Sequence, residues 1–107
     1  MLNEDRKVAL LQTDARQGIA RAQRLLALRY LRGRGVPKDE AIAFYWMQLA
    51  AHQHFGLAQR SLGEFYENGN GIDLDVSQAT HWYSLAAQQG DPIARAHLQR
   101  LSQPHVF

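Results

Sequence analysis

Arg32, Gly33, Arg34, Gly35 and Lys38 stand together in the stretch "YLRGRGVPKDEA", residues 30–41. Two glycines among three cations, just ahead of a helix-like segment, can cradle a phosphate through backbone N–H groups. Five histidines, His52, His54, His81, His97 and His105, raise metal ligation as a second chemistry. Yet His52 and His54 straddle an expected helix end, and no carboxylate stands at ligand spacing beside them. A third chemistry is nucleic-acid binding, from Arg21, Arg24, Arg29, Arg32 and Arg34 with Tyr30, Tyr66, Trp46 and Trp82. Nucleophilic catalysis has less to stand on. The chain has no cysteine, nucleophile elbow, Walker motif or paired acid–base carboxylates. Its acids mostly fall at expected helix starts, as Glu40 does beside Asp39. The pattern argues against an enzyme and against a metal or cofactor.

The elements that carry these residues are set by repetition. Residues 18–53 and 54–89 align without a gap, and fourteen of the 36 positions are identical. Composition alone gives about two or three. The identities include Ala22/Ala58, Leu26/Leu62, Tyr30/Tyr66, Gly33/Gly69, Gly35/Gly71, Asp39/Asp75 and Trp46/Trp82. Each unit reads as two helices. Ala22, Leu26 and Tyr30 are four apart and share one helical face. A Gly-x-Gly link follows, and Asp39 caps the second helix, whose buried stripe is Ala43, Trp46 and Ala50. Ala58, Leu62, Tyr66, Asp75, Ala79, Trp82 and Ala86 copy this. A helix pair this short cannot bury its apolar face alone, so it stacks on a neighbour.

The copy answers the phosphate question. "YLRGRGVPKDEA" returns as "YENGNGIDLDVSQA", with Asn68, Asn70 and Leu74 in place of the three cations. What persists is a tight helix-to-helix link: glycines able to take positive φ, an apolar plug (Val36 or Ile72) and a capping Asp. The aromatic residues repeat as well, which assigns them to the core rather than to base stacking. His54, just past an expected helix end, suits a left-handed turn.

The flanks continue the stack. Residues 3–17 read as an N-terminal helix with Val8, Leu11 and Ala15 inward, 18–53 and 54–89 as the repeats, and 91–102 as a C-terminal capping helix. Residues 103–107 read as a loose tail. The expectation is one all-α domain, a short right-handed α-α superhelix of two full helix-turn-helix repeats between capping helices.

The spacing resembles the Sel-1-like repeat, a relative of the tetratricopeptide repeat. Residues Ala58 to Gly90 carry Leu62-Gly63, Tyr66, Gly69, Gly71, Asp75, Ala79, Trp82-Tyr83, Ala86-Ala87 and Gly90 of its pattern. Ala20 to Ala51 carry it with departures at Ala27, Met47 and, just beyond, His54. The resemblance implies a non-catalytic scaffold or adaptor that binds proteins or peptides. Some secreted members carry a cysteine pair in every repeat, which this chain lacks.

In such an architecture the first helix of each pair lines the inner, concave face. Positions outside the repeat pattern there are candidate partner contacts. They are Arg21, Leu25, Leu28, Arg29 and Arg32, with Arg34 on the adjoining basic rim, and then Leu57, Ser61, Glu64, Phe65 and Asn68. Leu25 and Leu28 either face a partner or pack on the N-terminal helix. The partner expected is a protein or peptide of unknown identity. Self-association through the exposed ends of the stack, giving a homodimer, and a dedicated inhibitor of one enzyme stay open as alternatives.

Net charge is +2, split as +4 over residues 1–53 and −2 over 54–107, a dipolar distribution that can orient a charged partner. No apolar run approaches the roughly 20 residues of a membrane span, nor the apolar core of a secretory signal. The expected location is cytoplasmic.

Overall fold

A computed structural model describes residues 3–103. The expectation for the tail falls mostly on residues 104–107, which lie outside the described residues. Among the described residues six helices follow in order: α1 Glu4–Arg16, α2 Ala20–Arg32, α3 Glu40–Ala51, α4 Gly56–Asn68, α5 Val76–Gln88 and α6 Pro92–Ser102. Their starts keep the repeat register: 4, 40 and 76 for one kind, 20, 56 and 92 for the other. The molecule is an all-α helical repeat, elongated at 50 × 26 × 23 Å.

Local chemistry sets the helix ends. Asp39 Oδ1 accepts from the Ile42 N–H at 3.0 Å, and Asp75 Oδ1 from the Gln78 N–H at 3.1 Å. Gly33 and Gly69 close α2 and α4 in the left-handed conformation, at φ 65° and 70°. The link is then tied back to the helix it leaves. The Asp39 N–H donates to the Tyr30 carbonyl and the Asp75 N–H to the Tyr66 carbonyl, both at 2.9 Å. His54 takes φ 62°, in register with Gly18 and Gly90.

Packing explains the alternation of small and large residues. The central core joins α2, α3, α4 and α5 through Ala27, Ala43, Met47, Ala50, Ala51, Ala58, Leu62, Phe65 and Trp82. Burying Met47, Leu62 and Phe65 contributes about 1.5–3 kcal/mol each. The alanines let backbones approach closely enough for these larger groups to interlock. Two smaller clusters hold the ends: Ala15, Ala22 and Leu26 under α1, and Ala79, Tyr83, Ala86 and Ala94 under α6.

Two expectations about the core change in detail. Among the repeated aromatics only Trp82 is buried. Tyr30, Tyr66 and Trp46 are half-buried and pack on the core from outside. Each has a polar atom that burial would leave without water. Ile72, expected to plug its turn, is 37% exposed, while Val36 is half-buried. The second link is anchored by backbone instead: a Cβ on Gly71 would collide with the Glu40 carbonyl, so this loop lies directly on the start of α3.

Candidate functional site

The helices α2, α4 and α6 form one row, and α3 and α5 lie behind it. Within the row α2 reaches α4 directly. Two adjoining grooves run along this row, the side expected to be the inner face. The larger, about 280 Å³, lies between α2, α4 and α6. The smaller, about 200 Å³, lies between α1 and α2. Leu28 and Arg32 line both and form the ridge between them.

The expected contact residues divide. Leu28, Arg32, Ser61, Glu64, Phe65 and Asn68 line the larger groove, and Leu25, Leu28, Arg29, Arg32 and Arg34 the smaller. Leu25 lines its groove beside Leu11 of α1, and Leu28 packs on the central core.

Five of these candidates are enclosed, held by a neighbour or placed elsewhere. Phe65 is 2% exposed and belongs to the core, so it walls the groove from beneath and offers no free side chain. Ser61, at 3% exposed, is likewise enclosed. The reason is crowding: α4 sits mid-stack and is covered by helices on both sides. Arg29 donates to Glu4 Oε1 at 2.7 Å and is held by α1. Leu57 is exposed at a separate hollow with Phe55 and Pro92, away from both grooves. Arg21 is exposed and lines neither groove.

Electrostatics sharpen the far wall of the larger groove. Glu67 Oε1 accepts from the Tyr83 hydroxyl at 2.7 Å and from Arg100 at 2.9 Å. The bond to Arg100 holds the Glu67 carboxyl below its ordinary range, against burial. Burial, then the Glu67 bond, pushes the Tyr83 phenol far above its ordinary value. Tyr83 is therefore a neutral donor at any ordinary pH. His97 stacks on Tyr83 with ring centroids 4.6 Å apart, and its Nε2 meets Glu64 Oε2 at 3.0 Å. This wall is a connected polar network already satisfied by its own members.

The sequence reading missed this wall. Glu67, Tyr83, His97 and Arg100 come from three helices, and their meeting is visible only in the fold. A signal did exist for α6: Ala94 and Leu98 continue the 36-residue register, which puts α6 in the inner row.

The basic loop supports no phosphate cradle. Arg34 Nε donates to Glu4 Oε1 at 3.2 Å, and Lys38 stands 4.0 Å from Glu40. His52, His54 and His81 gather around Trp82. Among the described residues, no three or more His, Asp or Glu are placed to hold a metal. No helix among the described residues is long and apolar enough to cross a membrane.

Comparison with known proteins agrees with this architecture. The Sel1 repeat model matches twice, over residues 20–55 and 56–91. A Sel1 repeat protein from Oxalobacter formigenes is similar in structure, with a TM-score of 0.87 and 42% identity. The match covers 92% of this chain and 74% of that one. A protective antigen of uropathogenic Escherichia coli displaying an SLR fold is 36% identical, with a TM-score of 0.82, over 84% of this chain but 19% of its own. Cysteine rich protein B of Helicobacter pylori, at 22% identity, shares the fold, with a TM-score of 0.85 over 91% of this chain and 73% of that one. No curated protein sequence matches the chain. Sel1 repeats generally serve as protein–protein interaction modules and are typically non-catalytic. With both repeats matched in register, this chain belongs to the Sel1 repeat family.

Proposed function

We propose that the protein is a small cytoplasmic adaptor that holds a peptide segment or helix of a partner protein on its inner face. The observation that carries this reading is the pair of adjoining grooves, whose ridge is Leu28 and Arg32. Neither residue belongs to the repeat pattern; Leu28 is half-buried against the core and Arg32 is exposed. An apolar side chain beside a cation suits a partner that inserts one apolar group and one polar group per turn. The satisfied network of Glu64, Glu67, Tyr83 and His97 gives that partner a rigid wall rather than a reactive centre.

The test is capture of the partner from native cells, followed by variants on opposite faces. Leu28→Ser with Asn68→Trp alters and fills the inner grooves. Tyr45→Ser alters the exposed side of α3, where Tyr45 is 55% exposed. Loss of capture with the inner pair and retention with Tyr45→Ser is the expected result. The reverse pattern moves the site to the outer helices, and fractionation checks the cytoplasmic location.

A further inference from the structure

Arg24 and Arg60 hold the same place in the two repeats, 36 residues apart. Arg60 Nε donates to Asp91 Oδ2 at 3.1 Å, and the two side chains are only 15% and 9% exposed. One repeat earlier, the place of Asp91 is taken by Phe55. Arg24 Nε donates instead to the Ser61 hydroxyl at 3.2 Å. It has no ion-pairing carboxylate among the described residues. Burial, then the charge of Arg60, pushes its pKa down; Arg32 acts the same way, and Glu64 and Asp91 pull back.

A cation drawn out of water among other cations is destabilising unless an anion joins it. Its place matters too, because Ser61 lines the larger groove. Helix α2 carries Arg21, Arg24, Arg29 and Arg32 and no acid, and of these only Arg29 has an ion-pair partner among the described residues.

We infer that the inner face binds an acidic peptide, one of whose carboxylates completes at Arg24 the ion pair that Asp91 completes at Arg60. A second carboxylate sits on Arg32, and apolar side chains lie on Leu25 and Leu28. This deepens the adaptor reading and rests on it. Charge-assisted bonds from Arg32 in the groove and from Arg24, bonded to Ser61 at its edge, supply both affinity and selection for acids. A nucleic acid fits less well. The aromatic rings at the groove, Phe65 and Tyr83, are 2% and 0% exposed and give bases no stacking face.

The experiment selects a phage-displayed library of random peptides on the immobilised protein at low salt. The enriched pool is expected to be rich in Asp and Glu. Its binding should weaken by about tenfold or more with Arg24→Gln or with Arg32→Gln, and stay unchanged with Arg95→Gln, a cation on α6 outside the grooves. The melting temperature of Arg24→Gln should not fall, because the arginine is held for a ligand. A clear fall makes Arg24 structural and overturns the inference. A pool without acidic bias that still loses binding with Leu28→Ser and Asn68→Trp overturns it too, and leaves the inner-face reading standing. A pool indifferent to all these variants overturns both. Tighter, Arg24-dependent binding of a single-stranded oligonucleotide replaces the peptide with nucleic acid.

Discussion

Gly63 and Tyr83 form a matched pair whose counterpart in the first repeat is Ala27 and Met47. A Cβ on Gly63 would lie 2.6 Å from the Tyr83 ring, which is closer than real contacts allow. Ala27 and Met47 are both fully buried in the central cluster, where a slim flexible thioether leaves room for the methyl group. Gly63→Ala is therefore expected to destabilise by about 1–3 kcal/mol through overpacking, less whatever alanine returns in helix propensity. Tyr83→Met alone loses the bond to Glu67 and the stack on His97. Together the two changes should cost less than their sum by about 1 kcal/mol or more. Urea denaturation of the four proteins measures this, and strict additivity would mean that the pair is not coupled. The same logic explains a misreading from sequence. Arg29 and Phe65 share a register position, and both looked free because the repeat pattern does not fix them. Each is specified by its neighbours instead: α1 offers Glu4 to Arg29, and the central helices enclose Phe65. A position that varies between repeats is not thereby a surface position.

Among the helices, the ends are held differently from the middle. Helices α2 to α5 share the large apolar core, whereas α1 buries only Val8 and Ala15 and α6 only Ala94. Ion pairs supply the rest. Glu4 ties α1 to Arg29 and Arg34, Asp91 at the start of α6 pairs with Arg60, and Glu67 of α4 pairs with Arg100 of α6. All three carboxyls are held below their ordinary range. For Glu4 and Glu67 the arginine bond leads. For Asp91 burial opposes the shift, and bonds from the Ala94 N–H and Arg60 outweigh it. A carboxyl with a lowered folded-state pKa adds stability that is present above its unfolded value, about 4. That stability is lost as pH falls through the folded value. Acid should therefore loosen the outer helices first. Hydrogen exchange at neutral pH and near pH 3 should show α1 and α6 losing protection while α3 and α4 keep theirs. Uniform loss along the chain would sink the idea. The helices themselves were legible in the sequence, because each start is spelled by a cap and a 36-residue return. Their ion pairs were not, since Glu4 and Arg29, or Glu67 and Arg100, meet only after the stack forms.

For the whole molecule, the question is whether one copy extends another. Helix α1 has the register of a second helix and α6 that of a first, so α6 of one copy and α1 of the next would formally make a complete repeat. The residues at those two faces oppose it. Where α3 places Ala43, Met47 and Ala50 against its partner helix, α1 carries Lys7, Leu11 and Asp14. Where α2 and α4 have Ala27 and Gly63, α6 has Gln99, too large for a close helix approach. Stacking would bury Lys7 and Asp14 opposite Leu98 and Gln99, at a cost of several kcal/mol for each uncompensated charge. Beside Gln99, Leu98 and Leu101 line a hollow of about 310 Å³, the place a following helix would fill. The homodimer by end-stacking that the repeat register allows is thus disfavoured by charge and by volume. The protein should sediment as a 12.2 kDa monomer at micromolar concentration. Lys7→Ala with Asp14→Ala and Gln99→Gly restores the repeat pattern at both faces and should give a mass that rises with concentration, through heterologous head-to-tail contacts. If the wild-type chain already associates, or if the triple variant stays a single copy at high concentration, charge and volume at these faces do not govern assembly.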